Sequence, residues 1–208
     1  MAGDIRKLNP YYSRFWYRLG QRVCWLVFRL LWRCEVSGLE NIPMGDCAVI
    51  FAANHRSLID PPLIGCIVPR TIFYFAKEEL FGVPFIGWYI RKVNSFPVRR
   101  SAHDVGAFKT SLAVLTAGYP LLLFPEGGRR LDPRKQWVAR AGVGMLSAKT
   151  GAAVVPVGLT NTDKLGRFAK VHVRFGPLIP AATDGDGDHQ VYQDYSDRVM
   201  VRIRELCQ

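Results

Sequence analysis

The sequence predicts an α/β fold, a single domain with a mostly parallel sheet flanked by helices, preceded by an N-terminal helical segment. From residue 35 onward, short apolar runs of strand length alternate with longer stretches of helical spacing. The chain has 208 residues, 49% of them hydrophobic, which suffices for one substantial core but not comfortably for two. Charged or glycine-containing turns follow several apolar runs, which is typical of sites at the carboxyl ends of parallel strands.

The first half of the domain is predicted from three apolar runs and two helical stretches. Residues 48–53 (Ala-Val-Ile-Phe-Ala-Ala) are uniformly apolar, which indicates a strand buried on both faces. Two prolines follow Asp60, and because proline is favoured in the first turn of a helix, a helix is predicted over 61–67. The next predicted elements are a strand over 71–76, a helix over 82–92 and a strand over 93–98.

The second half of the domain continues the alternation. Its predicted elements are a helix over 101–117, a strand over 119–124, a helix over 141–150 and strands over 153–159 and 171–175. The last twenty residues predict a helix, because apolar side chains recur at helical spacing from Val191 to Leu206. Residues 35–208 are therefore predicted to form one α/β domain.

The N-terminal segment, residues 1–34, is predicted to be an amphipathic helical segment that associates with a membrane. Large aromatic side chains are interleaved with arginines, and the longest charge-free run, 23–28, is far shorter than the roughly 20 residues that span a bilayer. Aromatic anchors combined with basic charge favour a helix, or two helices broken near Gly20, lying in the membrane interface. A helix packed on the domain core with its arginine heads in solvent is the alternative.

Charge and cysteine content narrow the possible partners and the compartment. The net charge of +11 predicts an acidic partner, either nucleic acid, an anionic membrane surface or a phosphorylated substrate. Aromatic residues concentrate near the N-terminus rather than in a base-stacking motif, which argues against nucleic acid. Five widely spaced cysteines without a C-x-x-C pair argue against a metal site or a disulfide framework, and no secretory signal pattern is present. We therefore expect a peripheral or monotopic membrane protein on the cytoplasmic face of the cell membrane.

The turn from Asn54 to Asp60 carries the candidate catalytic pair. It follows the strand predicted over 48–53 and places His55 and Asp60 five positions apart. A histidine, with an ordinary pKa of about 6.5, can take a proton from an alcohol, and a nearby carboxylate can fix its tautomer and raise its basicity. Asp60 is also typical of a helix N-cap, and His55 could be a core histidine, so this segment alone leaves the structural alternatives open.

Two further charged turns follow predicted strands. The strand over 119–124 leads into Glu126, Gly127, Gly128, Arg129 and Arg130, and the strand over 93–98 leads into Arg99 and Arg100. Glycine lets the backbone approach a ligand closely, and guanidinium groups suit phosphate oxygens. Because the carboxyl ends of parallel strands share one edge of a sheet, the three turns are predicted to converge on one site with a phosphate cradle.

These motifs resemble those of the glycerolipid acyltransferases, the family that includes lysophosphatidate (1-acylglycerol-3-phosphate) acyltransferase. Residues 55–60 are similar to the family's H-x-x-x-x-D motif, residues 124–129 to F-P-E-G-T-R, and residues 96–100 to F-P-V-D-R or F-I-D-R. Residues 154–158 resemble the family's proline-containing strand, and residues 77–87 resemble its connecting segment. The motifs occur in the family's order over residues 47–159.

The resemblance implies an O-acyltransferase of phospholipid biosynthesis. His55 would take the proton from the free hydroxyl of a lysophospholipid, with lysophosphatidate expected, and Asp60 would orient the imidazole. The hydroxyl would attack the thioester of acyl-CoA or acyl-carrier-protein, without an acyl-enzyme, a metal or another cofactor. By the same resemblance, Arg100 and Arg129 would bind the acceptor phosphate, and Glu126 with the backbone of Gly127 and Gly128 would shape the glycerol site.

Departures from the family pattern leave the acceptor open. Arg99 stands where many members have Asp, and Gly128 stands where Thr is usual, so the substrate pocket is more basic and lacks a hydroxyl. Arg140 is either a further basic residue of the site or the solvated start of a helix. The same chemistry on another lysophospholipid, alcohol or amine, and a non-catalytic basic lipid-binding module, are the alternatives.

Overall fold

The structure, a computed structural model, describes residues 3–99, 104–129, 137–183 and 187–208. Its α-helices are α1 (Ile5–Leu8), α2 (Arg14–Trp32), α3 (Asp60–Ile67), α4 (Ile86–Lys92), α5 (Val105–Thr116), α6 (Gly142–Thr150) and α7 (His189–Leu206). Its strands are β1 (Glu35–Ser37), β2 (Val49–Ala53), β3 (Phe73–Lys77), β4 (Ser95–Val98), β5 (Leu121–Leu123), β6 (Ala153–Thr160) and β7 (His172–Phe175).

Within the described ranges the strands form one seven-stranded sheet in the order β1-β7-β6-β2-β5-β3-β4. All neighbouring pairs are parallel except β6 and β7, which run antiparallel. The prediction of a single α/β domain with a mostly parallel sheet is therefore confirmed. The order places β2 at the centre, between β6 and β5, so the turns that follow β2 and β5 lie side by side at the carboxyl edge.

Strand β2 is buried on both faces, which explains its uninterrupted apolar sequence. Val49, Phe51 and Ala53 contribute to the core beneath α2 and α3, whereas Ile50 and Ala52 contribute to the core beneath α5, α6 and α7. All five side chains are buried. Side chains alternate between the two faces of a strand, so a polar residue at any of these positions would enter one core or the other.

The sequence did not predict strand β1, and it predicted too early a start for helix α4. β1 is only three residues long, and its buried pattern is weak because both Glu35 and Ser37 are exposed. The helix predicted over 82–92 begins only at Ile86, and a separate 3₁₀ turn at Glu78–Gly82 precedes it. Pro84 explains the break, because proline cannot donate a helical hydrogen bond and disfavours helical backbone at the residue before it. The first residues of the helix predicted over 101–117 lie outside the described residues.

Helix α2 packs on the domain through one face. Tyr17 and Phe28 are buried, the Tyr17 hydroxyl accepts a hydrogen bond from the amide of Ile72 at 3.0 Å, and Gln21 Nε2 donates to the carbonyl of Gly65 at 2.8 Å. The opposite face exposes the large apolar side chains of Phe15, Leu19, Val23, Leu26 and Leu30. The packing foreseen as the alternative is thus present on one side, and the membrane association predicted for residues 1–34 remains a prediction.

Among the described residues, no helix combines the length and apolar character needed to cross a bilayer.

Candidate active site

His55 lies in the turn that follows β2, and its ring is held by Asp60. The distance between His55 Nδ1 and Asp60 Oδ2 is 2.8 Å, and the Asp60 side chain is fully buried. An ionised carboxylate can only accept hydrogen bonds, so the imidazole donates from Nδ1 and keeps its lone pair on Nε2. The arrangement therefore prepares Nε2 to accept a proton.

Asp60 is not the N-cap of α3, which corrects the structural alternative for this residue. The N-cap is Ile59, Asp60 is the first residue of the helix, and Pro61 and Pro62, its second and third residues, have no N–H groups to be capped. Asp60 Oδ2 instead accepts the backbone N–H groups of Arg56 at 2.7 Å and Ser57 at 2.8 Å. The carboxylate thus closes the turn on which His55 sits and orients its ring at the same time.

The turn after β5 supports His55 from the neighbouring strand. The Phe124 ring stacks on the imidazole, with 4.0 Å between ring centroids and 20° between the planes. Glu126 Oε1 accepts the backbone N–H of His55 at 3.2 Å. The predicted convergence of the turns after β2 and β5 is therefore observed.

Gly127 and Gly128 differ in what the backbone requires of them. Gly127 has a φ of +69°, and a Cβ there would lie 2.4 Å from Nε of Arg140, which packs across it. A side chain at position 127 would be strained and would displace Arg140. At Gly128, by contrast, a Cβ would meet no atom within 4 Å.

A cavity of about 340 Å³ opens beside His55. Its walls are mostly apolar and come from β3, β5, α5 and α6, and include Phe75, Phe108, Leu123, Val143 and Leu146. Polar and charged groups also border it, and they include the cations Lys77, Arg99 and Arg140, the carboxylate of Asp104 and the backbone of Gly127 and Gly128. Apolar walls suit an alkyl chain, and the basic groups suit an anion, so one cavity offers both kinds of contact next to the imidazole.

Arg99 lines this cavity but is already paired. Its Nε and Nη2 donate to the two carboxylate oxygens of Glu78 at 2.7 and 3.0 Å, and its backbone N–H donates to Asp104 Oδ2 at 2.7 Å. Backbone hydrogen bonds from Ala107 and Arg99 lower the pKa of Asp104 below its ordinary value. A phosphate approaching Arg99 must therefore compete with Glu78.

The remaining predicted ligands are placed less directly. Arg129 follows the cavity-lining Gly128 but is not itself among the described residues that line the cavity, and its buried Nε has no hydrogen-bond partner within the described ranges. Arg100 and Arg130 lie outside the described residues. Arg140, which was predicted to be either a basic residue of the site or the solvated start of a helix, borders the cavity.

Lys77 is the residue that sequence reasoning did not assign. It ends β3, borders the cavity, and its Nζ lies 2.8 Å from Glu79 Oε1. Its position at the carboxyl end of a parallel strand was the signal that could have singled it out. Within the part of the chain that the structure describes, no group of three His, Cys, Asp or Glu side chains is arranged as metal ligands.

Comparisons with known proteins show the family and the fold of the chain. A family model described as Acyltransferase matches residues 33–160. The crystal structure of the 1-acyl-sn-glycerophosphate (LPA) acyltransferase PlsC from Thermotoga maritima superposes with a TM-score of 0.70 and 31% identity, covering 93% of this chain and 78% of that one.

Two curated relatives carry the name 1-acyl-sn-glycerol-3-phosphate acyltransferase. The Streptococcus pneumoniae protein is 29% identical over 190 residues, covering 87% of this chain and 70% of the relative. The chloroplastic LPAT1 of Arabidopsis thaliana is 28% identical over 159 residues, covering 76% of this chain, which spans only 44% of that longer protein. Because the family model covers more than half of the sequence and the fold agrees at 31% identity, the chain belongs to the acyltransferase family.

Proposed function

We propose that the protein transfers a fatty acyl group from a thioester donor to the free hydroxyl of lysophosphatidate, giving phosphatidate in phospholipid biosynthesis. The observation that carries the proposal is the 2.8 Å contact between His55 Nδ1 and Asp60 Oδ2 at the wall of a cavity with apolar sides and a basic rim. The names of the relatives and of the structural neighbour support the choice of acceptor.

The proposed reaction uses His55 first as a base and then as an acid. Nε2 takes the proton of the acceptor hydroxyl while the hydroxyl oxygen attacks the thioester carbonyl carbon. The resulting tetrahedral intermediate collapses with cleavage of the carbon–sulfur bond, and the leaving thiolate takes the proton from the imidazolium. Asp60 stabilises the imidazolium throughout, because its buried carboxylate lies against Nδ1. No covalent acyl-enzyme forms.

The cavity supports a division of the substrate contacts. The apolar walls formed by Phe75, Phe108 and Leu146 would hold the acyl chain. Lys77 at the rim and Arg129 beyond Gly128 would bind the acceptor phosphate, together with Arg100 as the resemblance implies. Acyl-CoA and acyl-carrier-protein both fit the chemistry as donors, since the reacting group is the same thioester.

The location proposed for the enzyme is the surface of an anionic membrane on its cytoplasmic face. The exposed apolar face of α2 supports this proposal, as does the net charge of +11, because apolar burial and attraction to anionic lipid act together in interfacial helices. Such a location would bring a membrane-resident acceptor to the cavity.

The experiment that tests the function is an acyl-transfer assay on a panel of lysophospholipids with both donors. We expect product from lysophosphatidate, and we expect His55→Ala to lower the rate by about 10²–10⁴-fold, the usual contribution of a general base. His172→Ala is a matched control, because His172 also lies near a carboxylate, Glu35, but on β7, two strands away from β2. Retention of most activity by His55→Ala would refute the mechanism, and product only with a neutral headgroup would refute the acceptor.

A further inference from the structure

Residues 83–88, which comprise the bend before α4 and the first residues of that helix, present a cluster of apolar side chains to solvent and are called the 83–88 turn below. Val83, Ile86 and Trp88 are exposed, and Phe85 is 86% exposed, the most of any large apolar side chain that the structure describes. Single exposed apolar residues are ordinary, but four within six positions form a patch. A patch of this kind usually marks a surface that contacts a partner.

The backbone holds the Phe85 ring outward. Phe85 has a φ of +62°, a conformation that side-chain-bearing residues rarely adopt. The next bend is fixed by Gly87, whose N–H donates to the Val83 carbonyl at 2.8 Å and where a Cβ would lie 2.3 Å from the Phe81 carbonyl oxygen. The exposed ring is therefore set by a tight turn and not by a freely moving loop.

The 83–88 turn is continuous with the exposed face of α2. The Trp88 ring meets Trp16 of α2 edge-on, with 5.0 Å between ring centroids. Gly20 of α2 allows the Tyr89 hydroxyl to approach so closely that a Cβ there would lie 1.7 Å from it. Since Phe15 is also exposed beside Trp16, the apolar face of α2 and the turn form one surface on a shared support.

The same two helices also carry basic groups. Arg14, Arg18 and Arg22 lie on the same end of α2, and Arg91 and Lys92 end α4. Within the described ranges none of these five cations forms an ion pair with a carboxylate. Unpaired cations around an apolar patch complement an anionic lipid surface.

We propose that the 83–88 turn is a second membrane contact, which inserts Phe85 and Trp88 into the same anionic bilayer surface that receives α2. The inference rests on the proposed function for the bilayer location of α2. A second contact restrains the tilt of the domain on the bilayer more firmly than the apolar face of α2 does alone. Lys77 lines the cavity, and only the 3₁₀ turn Glu78–Gly82 separates it from the 83–88 turn. A membrane contact at the 83–88 turn would therefore hold this side of the cavity close to the bilayer, where a lipid acceptor resides.

The test uses the full chain and Phe85→Gly, since glycine accepts the positive φ and removes the ring without disturbing the turn. Binding is measured by flotation with vesicles of phosphatidylglycerol and phosphatidylcholine. We expect about tenfold weaker partitioning for Phe85→Gly, from the loss of one inserted aromatic side chain. Val201→Ala is the control, because Val201 is exposed on α7, in the layer on the other side of the sheet from α2, and should leave binding unchanged within twofold.

The outcomes separate this inference from the proposed function. Vesicle binding by Phe85→Gly equal to that of the unsubstituted protein overturns the second contact, as does an equal loss in Val201→Ala. Unchanged vesicle binding with slower transfer from an acyl-carrier-protein donor would assign the turn to protein docking, which also overturns it. Absence of acyl transfer in the unsubstituted protein would refute the proposed function, whereas the flotation result would stand on its own.

Discussion

Asp60→Asn is the substitution that most directly tests the proposed His55–Asp60 pair. Asp60 Oδ2 accepts three hydrogen bonds, from His55 Nδ1 and from the amides of Arg56 and Ser57, at 2.7–2.8 Å. The carbonyl oxygen of asparagine can occupy the same position, because all three partners require an acceptor there. The Asn Nδ2 then replaces Asp60 Oδ1, which is buried without a hydrogen-bond partner among the described residues. The turn keeps its geometry and loses its negative charge.

The size of the effect follows from the charge that is removed. An imidazolium and a carboxylate with charge centres ~4 Å apart attract by about 4 kcal/mol at an effective dielectric constant of about 20. Asparagine retains part of this as a dipole, so we expect a loss of about 3–4 kcal/mol in the transition state, or about 10²–10³-fold in kcat. KM should change little, because Asp60 is not among the described residues that line the cavity.

The assay measures initial rates of product formation from lysophosphatidate and acyl-CoA, alongside the melting temperature. Asp163→Asn is the control, since Asp163 pairs with Arg56 of the same turn at 2.8 Å but does not contact His55, and it should retain full activity. A folded Asp60→Asn protein with more than a third of the original kcat would refute the role given to Asp60. A loss of activity that appears only together with unfolding would refute it as well.

Two further substitutions test the turn after β5 and the cap of α5. Gly127→Ala should lower the melting temperature by several degrees, because residue 127 has a positive φ and the Arg140 guanidinium packs over it. Gly128→Ala is the control and should leave the melting temperature unchanged. Equal melting temperatures of the two variants would show that an alanine at position 127 is not strained. Asp104→Ala should cost about 1 kcal/mol of unfolding free energy at pH 7 by loss of the cap bond to Ala107. The pKa of Asp104 is lower in the folded than in the unfolded protein. The ionised carboxylate therefore stabilises the folded state fully above the unfolded pKa of about 3.9, and this stabilisation is lost as the pH falls through the pKa of the folded state. Denaturant titrations at pH 7 and pH 3 should therefore show the variant's deficit shrink at pH 3, and a constant deficit would contradict this.

The fold could be predicted from the sequence wherever burial imposed a pattern. β2 was predictable because both of its faces meet a core, so each position must be apolar. β1 was not, since it is three residues long and exposes two of its side chains. The break before α4 was readable in principle from Pro84, whose effect on the helix is local. Elements whose own side chains carry a burial pattern could thus be predicted from the sequence. An element that forms only because it pairs with a strand distant in sequence could not.

The candidate site shows the same division between local and long-range information. The spacing of His55 and Asp60 is local, and so their contact could be predicted. The pairing of Arg99 with Glu78 depends on β3 and β4 lying side by side. The approach of Arg140 to Gly127 accompanies a hydrogen bond from the Arg140 N–H to the Pro125 carbonyl at 2.9 Å. Neither contact can be predicted from the spacing of residues along the sequence. The charge of Arg99 therefore suggested that it binds phosphate, whereas the structure shows that it already pairs with Glu78.

The proposed base is positioned by residues at the ends of three adjacent strands, β6, β2 and β5, and by the start of α3. Asn54, at the end of β2, is buried and exchanges two hydrogen bonds with Leu159 of β6, at 2.7 and 2.9 Å. Glu126, after β5, accepts a hydrogen bond from the backbone N–H of His55, the residue that follows Asn54. Asp60 then orients the ring from the start of α3. The bonds of Asn54 and Glu126 link elements that are distant in sequence, and the bond to Asp60 adds a local restraint. The imidazole is therefore fixed before substrate binds, and little further ordering is needed when the proton moves.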